Sequence, residues 1–144
     1  MRPHIMEQYP VRKNLRLKDY NYSSNGYYFI TICARDRRVF RDNQEIIRET
    51  LYSLPQRYKG VSLDYSVVMD DHLHSILILN DSGKTISEVV RQFKAFVTLK
   101  TKRKEIWQKG FYEHVIRNEK ALEKIREYIQ NNPLAKVIKF EQFY

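Results

Sequence analysis

Cysteine is nearly absent. Cys33 stands alone among 144 residues, so no internal disulfide can form and no cysteine-based zinc motif exists. A chain that makes no use of cysteine cross-links fits a reducing cytoplasm, the compartment expected for it. No apolar run approaches the ~18 residues that a membrane span needs. The opening, MRPHIMEQYPVRKN, has charge without an apolar stretch behind it and does not read as a secretory signal. Glycines number only four, and they form neither a Gly-rich phosphate loop nor a Rossmann fingerprint. Internal repeats, low-complexity tracts and Gly/Ser linkers are missing too. With 42% hydrophobic residues, the expected organisation is one folded domain with a core of its own.

Positive charge is abundant. Lys and Arg number 26 against 17 Asp and Glu, a net charge of +9. Small basic domains are drawn to polyanions, and nucleic acid is the commonest in a cytoplasm. The charge is also clustered. Between Lys84 and Lys109, eight cations face only Glu88 and Glu105. That concentration suggests a track for a phosphate backbone.

The order of elements suggests the fold. Residues 1–26 form a polar lead-in ending in a turn-rich stretch. Tyr27–Ala34 (YYFITICA) reads as a buried strand, β-branched and aromatic with Gly26 before it. Asp42 with Glu45 resembles a capping box for a helix carrying Ile46, Ile47, Leu51 and Leu54 up to Pro55. Val61–Met69 and Leu73–Leu79 read as strands joined by a tight Asp70-Asp71 turn. Thr85 with Glu88 opens a helix whose apolar face is Ile86, Val89, Val90, Phe93 and Val97. A short strand near Phe111–Ile116 follows. Asn118 then starts a last helix that Pro133 stops, leaving residues 137–144 as a brief tail. The order β-α-β-β-α-β-α predicts an α+β domain over residues 27–136. Its first six elements form a ferredoxin-like split βαβ antiparallel sheet with two helices on one face. The third strand predicts what covers the other face. Leu73, Leu77 and Leu79 lie on one side and His72, His74, Ile76 and Ile78 on the other, so both sides need covering. The last helix is the natural cover for the histidine side.

His72-Leu73-His74 carries the first chemical signal. On a strand, residues i and i+2 project from one side, about 6.5–7 Å apart along the chain. Two imidazoles so placed can converge on one divalent cation. Tyr128 and Asn132 carry the second. At i and i+4 they share one helix face, and Asn132 precedes the helix-stopping Pro133, where its amide oxygen can reach outward as a ligand. A phenol with a pKa of about 10 is a poor nucleophile at neutral pH and needs a cation nearby. Tyr128 therefore reads as a nucleophile only if its helix lands beside the histidines, and as core packing otherwise. His114 reads as structural, Cys33 as a buried thiol, and Trp107 and Tyr112 as core before they read as base-stacking residues.

At these residues the sequence resembles a known family. RLKDYNYSSNGYYFITIC, YSVVMDDHLHSILIL, RQFKAFVTLKTK and IWQKGFYEHVIRNEKALEKIREYIQNNPLAK run in order over roughly residues 16–136. Together they resemble the single-tyrosine transposases of the His-hydrophobic-His endonuclease superfamily, above all the REP-associated tyrosine transposases (REP, repetitive extragenic palindrome). Asp70-Asp71 departs from the Pro-Asn turn of that pattern. The resemblance implies a metal-dependent nicking and strand-transfer enzyme acting on single-stranded, hairpin-forming DNA. His72, His74 and Asn132 would hold Mg²⁺ or Mn²⁺, and Tyr128 would form a 5′-phosphotyrosine link. Arg91, Lys94, Lys100, Lys102 and Arg103 are the candidates for gripping DNA phosphates. A non-catalytic or domesticated hairpin-binding module of the same fold is the alternative. A zinc hydrolase using Asp70 or Asp71 beside the histidines is a more distant one. Monomer and homodimer both stay open.

Overall fold

A computed structural model describes residues 25–136 and 138–144. The lead-in expected over residues 1–26 therefore falls almost wholly outside the described residues. Four strands form the sheet: β1 (Gly26–Cys33), β2 (Val61–Val68), β3 (His72–Leu79) and β4 (Tyr112–Ile116). Their order is β2-β3-β1-β4, every pairing antiparallel, which is the split βαβ arrangement expected from the sequence. The long pairing of β1 with β3 runs from Gly26 opposite Leu79 to Cys33 opposite His72. One extra residue on β2 between Leu63 and Ser66 makes a bulge against β3.

One face of the sheet is covered by α1 (Arg37–Asp42), α2 (Gln44–Tyr52), α3 (Leu54–Arg57) and α4 (Ile86–Thr101). The α4 stripe Ile86, Val89, Val90, Phe93 and Val97 is fully buried there, against Tyr28, Ile30, Ile32, Leu73, Leu77 and Leu79. Its N-terminus is a capping box: the Thr85 N–H donates to Glu88 Oε1 at 2.8 Å and the Glu88 N–H to Thr85 Oγ1 at 3.1 Å. The Asp42–Glu45 capping box does not form. Asp36 is the side-chain cap in that region, accepting from the Val39 N–H at 3.1 Å, and Asp42 instead closes α1. The intervening Asn43 spends its amide on the Val39 carbonyl at 2.8 Å. Pro55 opens the short α3 rather than ending the helix before it, since a proline at the first turn gives up no helical hydrogen bond.

The opposite face carries a second, separate core: Phe29, Ile76 and Ile116 from the sheet meet Ala121, Leu122, Ile125 and Ile129 of α5 (Glu119–Asn131). Both sides of β3 are covered as its alternation requires. The tail adds to this layer, because Ile138, Phe140 and Phe143 are buried in the same cluster. Phe140 stacks on the His114 ring with centroids 3.8 Å apart. His114 Nε2 lies 3.2 Å from the Tyr144 hydroxyl, so this histidine holds the tail down. No helix among the described residues is long and apolar enough to cross a membrane.

Candidate metal and nucleophile site

His72 and His74 open β3 on the α5 side of the sheet, each with 1% or less of its surface exposed. Their rings lie 4.8 Å apart, edge to face. Each Nδ1 has an oxygen partner: Asp71 Oδ1 at 2.9 Å for His72, and Thr31 Oγ1, directly across the β1–β3 pairing, at 2.9 Å for His74. Each Nε2 faces the chain just beyond α5, His72 at 3.2 Å from the Pro133 carbonyl and His74 at 2.6 Å from that of Ala135. The last helix thus delivers its C-terminal end onto the histidine pair.

Electrostatics favour neutral imidazole at His74. Burial, then the neighbouring His72, lowers its pKa from 6.5 to about 3, against an opposing backbone contact to Ala135. Neutral imidazole is the form that ligates metal. For Asp71, burial alone would raise the pKa. Hydrogen bonds from Lys136 and His72, and their charges, outweigh it and bring the carboxyl down to about 2. Asp71 therefore stays ionised between Lys136 Nζ at 2.8 Å and His72 Nδ1. In a neutral imidazole, a carboxylate beside Nδ1 favours the proton there, the tautomer that leaves Nε2 able to ligate a metal. His72 Nε2 lies against the Pro133 carbonyl, to which it donates when it carries a proton and beside which it is open to a cation when it does not. The donor set fits a divalent ion: two imidazole nitrogens with outer partners that orient them, and oxygen donors close by. Among the described residues no third His, Cys, Asp or Glu joins them. The remaining ligands would come from amide, carbonyl, water or substrate oxygens.

Tyr128 is half-buried on α5, its ring edge-on to Phe143 at 5.5 Å. Asn132 is exposed, and its amide turns back to donate to the Tyr128 carbonyl at 3.0 Å. Among the described residues no hydrogen bond joins Asn132 to either imidazole. Asp64 on β2 and Arg126 on α5 form a two-pronged ion pair that anchors the helix two residues before Tyr128. Sequence reasoning did not single out Thr31 as a partner of the histidines, and it placed Asp71 beside them only in the zinc-hydrolase reading, as a ligand rather than as the residue that orients His72. The pairing of Thr31 becomes legible only once β1 is set against β3.

The expected phosphate-gripping residues divide. Arg91 and Lys102 are exposed, Lys102 in a left-handed conformation (φ 59°) that ends α4. Lys94 is half-buried and donates to the Gln108 and Gly110 carbonyls at 3.1 and 2.6 Å, tying α4 to the loop before β4. Lys100 Nζ lies 3.3 Å from Thr50 Oγ1. Arg103 forks onto Glu105.

Residues 21–132 match the family model described as "Transposase IS200 like". The chain belongs to the IS200-like transposase family. Among its relatives, the IS200-like chain is 33% identical to an uncharacterised Haemophilus influenzae protein, over 85% of this chain and 88% of that one. It is 30% identical to a REP-associated tyrosine transposase of Escherichia coli K12, over 78% of this chain and 69% of that protein. Among solved structures it is similar to a REP-associated tyrosine transposase bound to a REP hairpin, with a TM-score of 0.70 and 27% identity, over 83% of this chain and 73% of that one. The α+β fold and the transposase family of this chain therefore agree with the reading of its sequence.

Proposed function

We propose that this IS200-like transposase nicks and rejoins single-stranded, hairpin-forming DNA in the cytoplasm through Tyr128. The observation that carries the proposal is the landing of α5 on the histidine pair, with the Pro133 carbonyl 3.2 Å from His72 Nε2. The segment that follows the phenol-bearing helix thereby lies against the imidazoles, one to two turns beyond Tyr128 in sequence. His72 and His74, with the Asn132 amide, are the residues that would hold Mg²⁺ or Mn²⁺, whose chemistry there is Lewis-acid polarisation of the scissile phosphate. To serve as ligand, His74 holds its proton on Nδ1 toward Thr31 and releases the Ala135 carbonyl. Asp71 keeps the His72 proton on Nδ1, supported by Lys136. The Tyr128 phenol gives up its proton as its oxygen attacks phosphorus, the P–O3′ bond breaks, and the departing oxygen takes up a proton to leave as a free 3′-OH. A 5′-phosphotyrosine link results, and attack by a second 3′-OH reverses it. One phosphoester bond replaces another at each step, so no energy source is needed. The relative whose structure holds a REP hairpin supports a hairpin as the substrate.

The test separates chemistry from binding. His72→Ala and His74→Ala variants are expected to lose cleavage of single-stranded hairpin DNA while binding it as the parent protein does. Calorimetry should show divalent-ion binding by the parent protein, with or without DNA, and none by the double variant. Cleavage that survives in the double variant would remove the metal assignment.

A further inference from the structure

The first element after β1 carries an arginine cluster that the proposed chemistry does not use. Arg35, Arg37, Arg38 and Arg41 fall within seven residues, and all four are exposed. The partly exposed Asp36 is occupied in capping α1, and Val39 and Phe40 turn into the core, with Phe40 edge-on to Trp107 at 5.6 Å. The short helix is thus fixed by its two apolar residues. Arg37 and Arg38 share a side with Arg41 at spacings of four and three.

Hydrogen bonds place this cluster at the histidine end of the sheet. The Ala34 N–H donates to the Asp71 carbonyl at 2.9 Å, one residue before His72. Gln44, at the start of α2, donates to the Met69 carbonyl at 2.7 Å. The arginine segment is therefore bonded at both of its ends to the turn that opens onto the histidines. The loop after α4 joins the same rim, because the Arg35 N–H donates to the Ile106 carbonyl and the Gln108 N–H to that of Cys33, each at 3.0 Å. That loop brings Lys102 and Lys104, both exposed, while its acid, Glu105, is held by Arg103. Folding thus gathers two basic segments that lie more than sixty residues apart in sequence. Asp36 and Asp42 lie within electrostatic reach of Arg103, and Glu105 of Arg35, but the cations of the rim outnumber these three carboxylates, and guanidinium groups match phosphate geometry through paired N–H donors.

We infer that this rim, Arg35, Arg37, Arg38 and Arg41 with Lys102 and Lys104, binds the phosphates of the single strand running past the histidine site. The inference rests on DNA being the substrate, as proposed above. The strand enters or leaves at the end of β1 and β3, where its backbone meets the rim before any base is read.

Salt titration tests it without any chemistry. Binding of oligo(dT), which forms no hairpin, is followed by fluorescence anisotropy in EDTA at several salt concentrations. Three proteins are compared: the parent, the rim variant R37A/R38A/R41A, and R57A/K59A/K84A. The last removes equal charge at the opposite end of the sheet, where Val61 pairs with Leu79. Each single-strand phosphate contact contributes about 0.7 to the slope of log K against log salt, so the rim variant should lose about 2 slope units. Over a fourfold rise in salt, the parent should then lose about 16-fold more affinity than the rim variant. The far-end variant should keep the parent's slope. A parental slope in the rim variant, equal losses in both triples, or no binding of oligo(dT) by the parent would each overturn the inference. Because neither metal nor Tyr128 takes part, failure of the tyrosine chemistry would leave a positive result here intact, and the converse holds as well.

Discussion

The protonation of His74 couples the folding of this domain to pH. Burial and the neighbouring His72 lower its folded pKa to about 3, against 6.5 in an unfolded chain. Above pH 6.5 both states are neutral there and the group contributes no pH dependence. As pH falls below 6.5 the unfolded chain takes up a proton that the folded protein refuses, so stability declines toward acid until the folded pKa is reached. The slope approaches about 1.4 kcal/mol per pH unit for one proton. At pH 4 the loss amounts to about 3 kcal/mol, and it stays near that figure even for a folded pKa one unit higher. That is a large share of the ~5–15 kcal/mol by which domains are usually stable. The perturbation is His74→Asn, which removes the titration and keeps a polar side chain against Thr31. Urea denaturation in EDTA at pH 7, 6, 5 and 4 gives the unfolding free energy of both proteins. The difference between them should shrink or change sign toward acid by about 3 kcal/mol over this range. Parallel pH profiles would refute the reasoning, because His74 would then titrate alike in both states.

Further expectations concern the contacts that hold the site in place. Lys94→Met should cost about 1–3 kcal/mol, because it leaves two backbone carbonyls of the loop before β4 without their donor; denaturant midpoints at unchanged m-value would measure it. Phe140→Ala should cost about 3–5 kcal/mol and lower Tm, since the ring is fully buried between Phe29 and His114; a change under 1 kcal/mol would mean that the tail is not part of the core. For Asp64 and Arg126, whose side chains are 15% and 36% exposed, a double-mutant cycle should give a coupling of about 0.5–1 kcal/mol. The single variants should slow any reaction of Tyr128 more than they weaken DNA binding.

Much of this architecture is legible in the sequence because both periodicities are clean. The alternation LHSILIL puts leucines on one side and histidines with isoleucines on the other, and the two cores fall on those two sides. The capping box at Thr85 and the stripe from Ile86 to Val97 are local signals, and they hold. The Asp42 box misleads because a helix of six residues, with only Val39 and Phe40 buried, has too short a pattern to be read ahead of it. The tail reads as an ending, yet Phe140 and Phe143, three apart in one turn, fill the layer under α5. Lys94 lies beside the apolar stripe and reads as a surface cation until the loop before β4 passes over it. The arginines of α1 are plain in the sequence, but their place beside His72 follows only from the bonds of Ala34 and Gln44 to the Met69–Asp71 turn.

The central claim is that Tyr128 becomes bonded to DNA phosphate. The measurement is incubation of the protein with single-stranded hairpin DNA and Mg²⁺ or Mn²⁺, then denaturing electrophoresis and mass analysis of the digested adduct. The account predicts a denaturation-resistant protein–DNA species carrying the nucleotide on the peptide that contains Tyr128, absent from the Tyr128→Phe variant. A comparable adduct from Tyr128→Phe, or none from a parent protein that binds the same hairpin, would contradict it.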